Sequence, residues 1–279
     1  MRLDAHQHFW RYRSEEYLWI TEELAVLRRD FLPEDLAPLL AAAGMDGCLA
    51  VQARQCLEES DWLLELAAAH PFVRGVVGWV DLRAAAAEEE LARLAADPRF
   101  VGVRHLAQDE PDDGFLARPD FVAGVAKLAA HGLRYEILVY ERQLPAAIEL
   151  VSALPEQPFV LDHIGKPRIA DGRLEPWAGR LCELAQRENV CCKLSGVVTE
   201  AAWDSWTLNG LRPWLDTALE AFGPERLMFG SDWPVCLLAG EYAAVYELVE
   251  NWSAALSATE RAALFGGNAA RCYGLDEED

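Results

Sequence analysis

Apolar positions along the chain gather into eight short runs, and the stretches between them repeat their apolar residues at helical spacing. The runs are LDAHQHF (3–9), GCLAVQA (47–53), VRGVVGWVDL (73–82), FVGVRHL (100–106), LRYEILVY (133–140), PFVLDHIG (158–165), VCCKLSG (190–196) and RLMFGSDWP (226–234). Each is short for a helix and too continuously apolar for a strand with one wet face, which predicts parallel strands buried on both sides. The intervening segments have readable ends. Residues 33–43 stop at Gly44, 60–70 before Pro71, 84–96 at Asp97-Pro98, and 120–131 at Gly132 with Asp120 as the expected N-cap. Helices are also expected over 144–154, 177–188 and 211–222, then over 241–256 and 259–265.

Eight strand–helix units in 279 residues fit an α/β fold, a single (β/α)8 TIM-like barrel, regular or distorted, occupying residues 1–279 as one domain. An open doubly wound sheet would usually carry a glycine-rich phosphate turn after its first strand. No GxGxxG or GxxxxGK[ST] occurs. The connection after the first strand, up to Asp30, is unusually long and contains WRYRSEEYLWI (10–20). In a barrel this loop would hang over the catalytic face.

Charge and cysteine usage narrow the partners. A formal net charge of −21 repels a phosphate backbone, so nucleic acid and anionic membrane are not expected and a small molecule is. No apolar stretch reaches the roughly 18–20 residues of a membrane span, and the first strand starts at Leu3 with no leader-like segment ahead of it. Seven cysteines, an odd number without CxxC spacing, read as reduced thiols of a cytoplasmic protein.

Barrel active sites lie at the C-terminal strand ends, and the polar residues there form a notable set. They are His6 and His8 on the first strand, Gln52 on the second, Asp81 on the third, Arg104 and His105 on the fourth, Glu136 on the fifth, His163 on the sixth, Lys193 on the seventh and Asp232 on the eighth. In a closed barrel the first and eighth strands are neighbours, so His6, His8 and Asp232 can converge. Period-two alternation lets only one of Arg104 and His105, and only one of Asp162 and His163, face the interior. Lys193 inside a barrel would require a buried ion pair. Three imidazoles and a carboxylate (His6, His8, His163, Asp232, with Glu136 in reserve) suit one divalent metal, zinc first. Without metal, Asp232 can deprotonate water while His163 or Arg104 steadies an oxyanion. Either design yields hydrolysis. Trp10, Tyr12, Trp19 and Trp79 are aromatic enough to stack on a ring or roof a pocket.

HxH on the first strand, a histidine on the sixth and an aspartate on the eighth resemble the amidohydrolase superfamily. The segments DAHQHFW (4–10), GVRHLAQDEPDD (102–113), LVYERQLP (138–145), VLDHIGKP (160–167), KLSGVVTE (193–200) and MFGSDWPV (228–235) are similar to its family 2 branch of sugar-lactone hydrolases. That branch includes L-fuconolactonase, L-rhamnonolactonase and 2-pyrone-4,6-dicarboxylate lactonase. GGNAARCYGL (266–275) resembles the superfamily's usual ending. The resemblance implies hydrolysis of an aldonolactone to the open acid, with Asp232 as general base and His6, His8 and His163 polarising the carbonyl directly or through a metal. It implies Arg104, His105 and Lys166 near the substrate, with Gln52, Glu136, Trp79 and Trp10 as further contacts. Glu136 stands on the strand where the wider superfamily carries a lysine carbamate, so the implied site holds one divalent metal or none. Two rival functions share the fold: metal-dependent decarboxylation of an aromatic acid, and a non-catalytic sugar-acid-binding barrel.

Overall fold

The computed structural model describes residues 1–275, and its strands lie where the apolar runs lie. They are β1 (Leu3–Gln7), β2 (Gly47–Val51), β3 (Val73–Gly78), β4 (Phe100–His105), β5 (Arg134–Ile137), β6 (Phe159–Leu161), β7 (Val190–Leu194) and β8 (Leu227–Phe229). Neighbours pair in parallel, in chain order, through β8. Each strand is followed by a helix: α1 (Pro33–Ala42), α2 (Leu57–Ala69), α3 (Ala87–Ala95), α4 (Pro119–Val125), α5 (Leu144–Ala153), α6 (Trp177–Ala185), α7 (Leu208–Phe222) and α8 (Tyr242–Trp252). Positions 276–279, which the one-domain expectation includes, lie outside the described residues. Among the described residues no helix is long and apolar enough to cross a membrane.

The barrel is nearly closed, with one seam. Between β8 and β1 the only β contact among the described residues is a single parallel bridge, Gln7 to Trp233. Two backbone bonds reinforce it, Asp232 N–H to His6 C=O at 2.8 Å and His8 N–H to Trp233 C=O at 2.7 Å. Deeper in the seam, the buried Asp4 carboxylate accepts from the backbone N–H of His6 (3.1 Å) and of Ser231 (2.9 Å). The strands approach this closely because residue 230 is glycine. A Cβ there would lie 2.7 Å from His6 Cβ and 3.1 Å from Ser195 Cβ. Gly230→Ala should therefore cost about 1–3 kcal/mol of stability through overpacking and displace His6. Urea unfolding with an unchanged m-value reads the loss; an unchanged midpoint would show that the seam has room.

Two apolar layers hold the barrel. Inside it, Leu3, Leu49, Val77, Val101, Val160 and Met228 pack together, and Ala269, Ala270 and Tyr273 of α10 (Asn268–Tyr273) close the end away from the site. Outside it, the strand side chains of opposite parity meet the helices in one continuous core.

Two local expectations need correction. The helix expected over 120–131 starts one residue earlier, with Pro119 in its first turn and Arg118 as N-cap, and it breaks into a 3-10 turn over Leu128–His131. Asp120 accepts from the adjacent Phe121 N–H and pairs with Arg118 and Arg83 instead of capping. The helix expected over 259–265 is α9 (Ala258–Ala262), followed by a wide turn at Ala263–Gly267 and then α10, which the paired glycines concealed. Those glycines allow contact with the chain start: a Cβ on Gly266 would stand 2.2 Å from the Met1 carbonyl oxygen. The long loop after β1 has regular structure of its own. It carries a 3-10 turn at Glu22–Leu27 and a bridge between Trp10 and Phe31.

Candidate active site

An open-mouthed cavity of about 370 Å³ lies at the C-terminal ends of the strands, where His8, Arg104, His163, Lys166 and Asp232 meet side chains of the surrounding loops. His6 and His8, two apart on one extended segment, point the same way, and their Nε2 atoms are 3.2 Å apart. His8 Nδ1 donates to the Val51 carbonyl at 2.7 Å, which leaves Nε2 as the nitrogen that can offer a lone pair to the cavity. Asp232 Oδ1 lies 3.4 Å from His8 Nε2, 3.7 Å from His6 Nε2 and 4.0 Å from His163 Nε2, yet no hydrogen bond reaches it. Burial alone would raise the Asp232 pKa, but the neighbouring His163, His8 and His6 imidazoles outweigh it and hold the carboxyl well below the usual range. Burial draws His163 down to about 4, so its imidazole is neutral at pH 7.

Backbone strain concentrates here. Among the described residues the non-glycine positions with positive φ are His163 (54°), Ile164 (49°), Lys166 (45°) and Asp232 (58°). Such conformations are costly, above all for β-branched Ile164, and tend to persist where a site requires them. They overturn the alternation argument for β6. The strand ends at Leu161, and the turn that follows sends both Asp162 and His163 toward the interior. Gly196 makes room for the result: a Cβ there would sit 2.7 Å from the His163 ring. Ser195 Oγ, 2.9 Å from His163 Nδ1, fixes that ring.

A buried charge network underlies the imidazoles. Asp162 Oδ1 is 3.3 Å from His6 Nδ1 and 3.2 Å from Lys193 Nζ, and Asp162 Oδ2 accepts from Arg104 Nη1 at 3.0 Å. Lys193 Nζ also donates to His6 Nδ1 (3.1 Å) and to Glu136 Oε1 (2.6 Å). Tyr273 of α10 donates to the same Glu136 oxygen. Burial opposes ionisation of Asp162, but Lys193, His6 and Arg104 hold its pKa well below normal. Glu136 is pushed up to about 7, by burial first and then by the Asp162 charge. Lys193 thus has the buried ion pair its position demanded.

Two donor groups have the composition a metal ion needs: His6, His8 and Asp232, and His6, Asp162 and His163. The first fits a zinc-like ion, since His8 Nε2 and the unpartnered Asp232 Oδ1 are a borderline-soft and a hard donor aimed at one place. Glu136 is not part of either group. Its carboxylate turns to Lys193 and Tyr273, beneath the imidazoles.

The other sequence candidates separate. Arg104 lines the cavity, and its Nη1 lies 3.2 Å from His6 Nε2. Lys166 also lines it, donating to Gln108 Oε1 at 2.9 Å and pairing with Glu200 at 3.4 Å. Gln52 sits behind Arg104, its carbonyl accepting from the guanidinium and its amide donating to the Arg104 carbonyl. His105, last in β4, points away as alternation requires; it stacks on Phe115 and binds Glu110 at 2.7 Å. Trp79 turns toward His105, with its Nε1 3.5 Å from His105 Nδ1. Trp10 is wholly buried between Tyr17, Trp19 and Phe31 and donates to the Arg29 carbonyl. None of His105, Trp79 and Trp10 lines the cavity, because each has a packing partner outside it. Trp19 from the long loop does line it, as do Gln108, Asp109, Tyr140, Glu200 and Trp203, which sequence reasoning did not single out. Their only signal was position in segments following strand ends.

Comparison with known proteins identifies the family of the fold. A family model described as "Amidohydrolase" matches residues 3–275. An L-fucono-1,5-lactonase of Burkholderia multivorans is 48% identical, over 99% of this chain and 97% of its own. An L-fucono-1,5-lactonase of Burkholderia ambifaria is 40% identical, over 99% and 96%. The crystal structure of a Burkholderia multivorans amidohydrolase with bound zinc superposes with a TM-score of 0.94 at 48% identity, covering 99% of this chain and all of that one. With its barrel, strand-end histidines and eighth-strand aspartate, the chain belongs to the amidohydrolase family.

Proposed function

We propose that this chain is a hydrolase of cyclic esters that opens a sugar lactone of the L-fucono-1,5-lactone type to its acid. The full-length 48% identity to the Burkholderia multivorans lactonase carries the reading, and the cavity chemistry supports it. Water adds to the lactone carbonyl carbon as Asp232 takes its proton; the carboxylate is ionised throughout the neutral range and its Oδ1 has no competing partner. Charge developing on the carbonyl oxygen meets the Arg104 guanidinium and His163, whose Nε2 keeps its hydrogen when the Ser195 hydroxyl donates to Nδ1. The ring C–O bond then breaks, and Asp232 returns the proton to the leaving ring oxygen. A divalent metal held by His6, His8 and Asp232 would add Lewis-acid polarisation of the carbonyl.

A pH-indicator assay over an aldonolactone panel tests this, with one arm in chelator and one in added zinc. Acid release from L-fucono-1,5-lactone is expected, and no acid from any lactone in either arm would overturn the reading. Turnover that survives chelation assigns carbonyl polarisation to Arg104 and the imidazoles; turnover lost and restored by zinc assigns it to the metal.

A further inference from the structure

We infer that the cavity selects 6-deoxyaldono-1,5-lactones by seating the methyl group on C5 against an apolar wall of Leu24, Val235 and Leu238, an inference that rests on the sugar-lactone reading above. The wall belongs to the seam. The 3-10 turn Val235–Leu238 after β8 packs on the turn Glu22–Leu27 after β1, and together they present these three half-buried side chains to the cavity. The loops after β4 and β6 supply the polar Gln108, Asp109 and Lys166 beside Leu106, and the loop after β7 supplies Glu200 and Trp203. Lys166 Nζ there donates to Gln108 and pairs with Glu200. In a barrel with its strands in chain order, the β4 and β6 loops lie across the mouth from those of β8 and β1. The apolar wall at the seam therefore stands opposite the hydroxyl-reading Gln108 and Lys166.

Asp232 stands on the apolar side, at the start of its turn: the Cys236 N–H donates to the Asp232 carbonyl at 2.9 Å. Substrate connectivity then fixes the orientation. The carbonyl carbon of a 1,5-lactone has two ring neighbours, the ring oxygen leading to C5 and the C2 that bears a hydroxyl. With the carbonyl at Asp232, one of these faces the wall and the other faces Gln108 and Lys166. Placing C2 toward the wall would leave its hydroxyl without a partner, whereas placing it toward Lys166 satisfies it. That choice brings C5 and its substituent onto Leu24, Val235 and Leu238. It also sets the ring oxygen beside Asp232, the group that must protonate it. A methyl on C5 fits such a wall; a hydroxymethyl would bury its hydroxyl against leucines.

The test compares L-fucono-1,5-lactone with L-galactono-1,5-lactone, which differ only by a hydroxyl on C6. The wild-type ratio of kcat/KM should favour the deoxy lactone by about 10- to 100-fold, the range an apolar pocket achieves against one added hydroxyl. Leu238→Asn and, separately, Leu24→Gln should each lower that ratio about tenfold, through loss on the deoxy lactone while the rate on L-galactono-1,5-lactone holds or rises. A wild-type ratio near one, or a ratio unchanged in both variants at wild-type melting temperature, would overturn the wall. Should one variant melt early, the ratio is read from the other. No acid from either lactone with wild-type protein would defeat the lactonase reading itself, and the inference with it.

Discussion

Asp232→Asn should lower kcat on L-fucono-1,5-lactone by about 10²- to 10⁴-fold, the contribution of a positioned general base, while leaving the fold intact. The amide occupies the same volume in the same turn, and the backbone bonds that hold the turn, Asp232 N–H to His6 and Cys236 N–H to Asp232, do not involve the side chain. What disappears is the one carboxylate oxygen that faces three imidazoles with no hydrogen bond of its own. The pH profile sharpens the prediction. Asp232 is ionised far below neutrality, so it does not set the acid limb of kcat/KM in the wild type. His163 does: its depressed folded-state pKa keeps it neutral until the pH falls to about 4, where protonation at Nδ1 ends the hydrogen bond it accepts from Ser195 and sets a cation against Asp232. Turnover should therefore persist through mildly acidic solution and fall only near that value. An acid limb close to the ordinary histidine value of about 6.5 would contradict the assignment, as would near-normal turnover by Asp232→Asn.

Lys193→Met should destabilise the protein by about 3–5 kcal/mol, as breaking one side of a buried ion pair does. Its ammonium is fully buried between two buried carboxylates, Glu136 at 2.6 Å and Asp162 at 3.2 Å. Removing it leaves Asp162 with Arg104 and the His6 imidazole, and Glu136 with only the Tyr273 hydroxyl. At roughly 2–4 °C per kcal/mol for a chain of this size, the melting temperature should drop by about 10 °C. Glu136→Gln in the same chain removes one stranded charge and should restore more than half of the loss. Activity should fall as well, because Lys193 donates to His6 Nδ1 and so sets that ring's orientation. A loss below about 1 kcal/mol, the level of an exposed pair, would mean that water reaches this network.

The sequence made the barrel legible for a physical reason. A strand buried on both faces must be apolar almost throughout, so the eight runs stood out, and Gly or Pro marked several helix ends. His6, His8, His163 and Asp232 were legible because polar residues at the ends of such runs need an explanation. Other features had no local signature. No propensity argument places Ile164 in the left-handed region, yet that turn brings Asp162 beneath His6. Trp10 and Trp79 looked suited to a sugar, but an aromatic near a strand end packs equally well against its neighbours, and here both do. Glu200 and Lys166 come together from loops after different strands, a pairing that only the closed ring of strands creates.

The seam also has a consequence in time. Asp4 and Ser231, whose contact draws the two walls of the site together, are 227 positions apart. His6 leaves the ribosome well before Asp232, which emerges only after seven strands of the barrel have been made. Every strand but the last can pair as it is synthesised, each on the one before it, without assembling the reactive cluster. Hydrolytic competence should then appear abruptly, with the docking of β8, rather than accumulate as the chain lengthens.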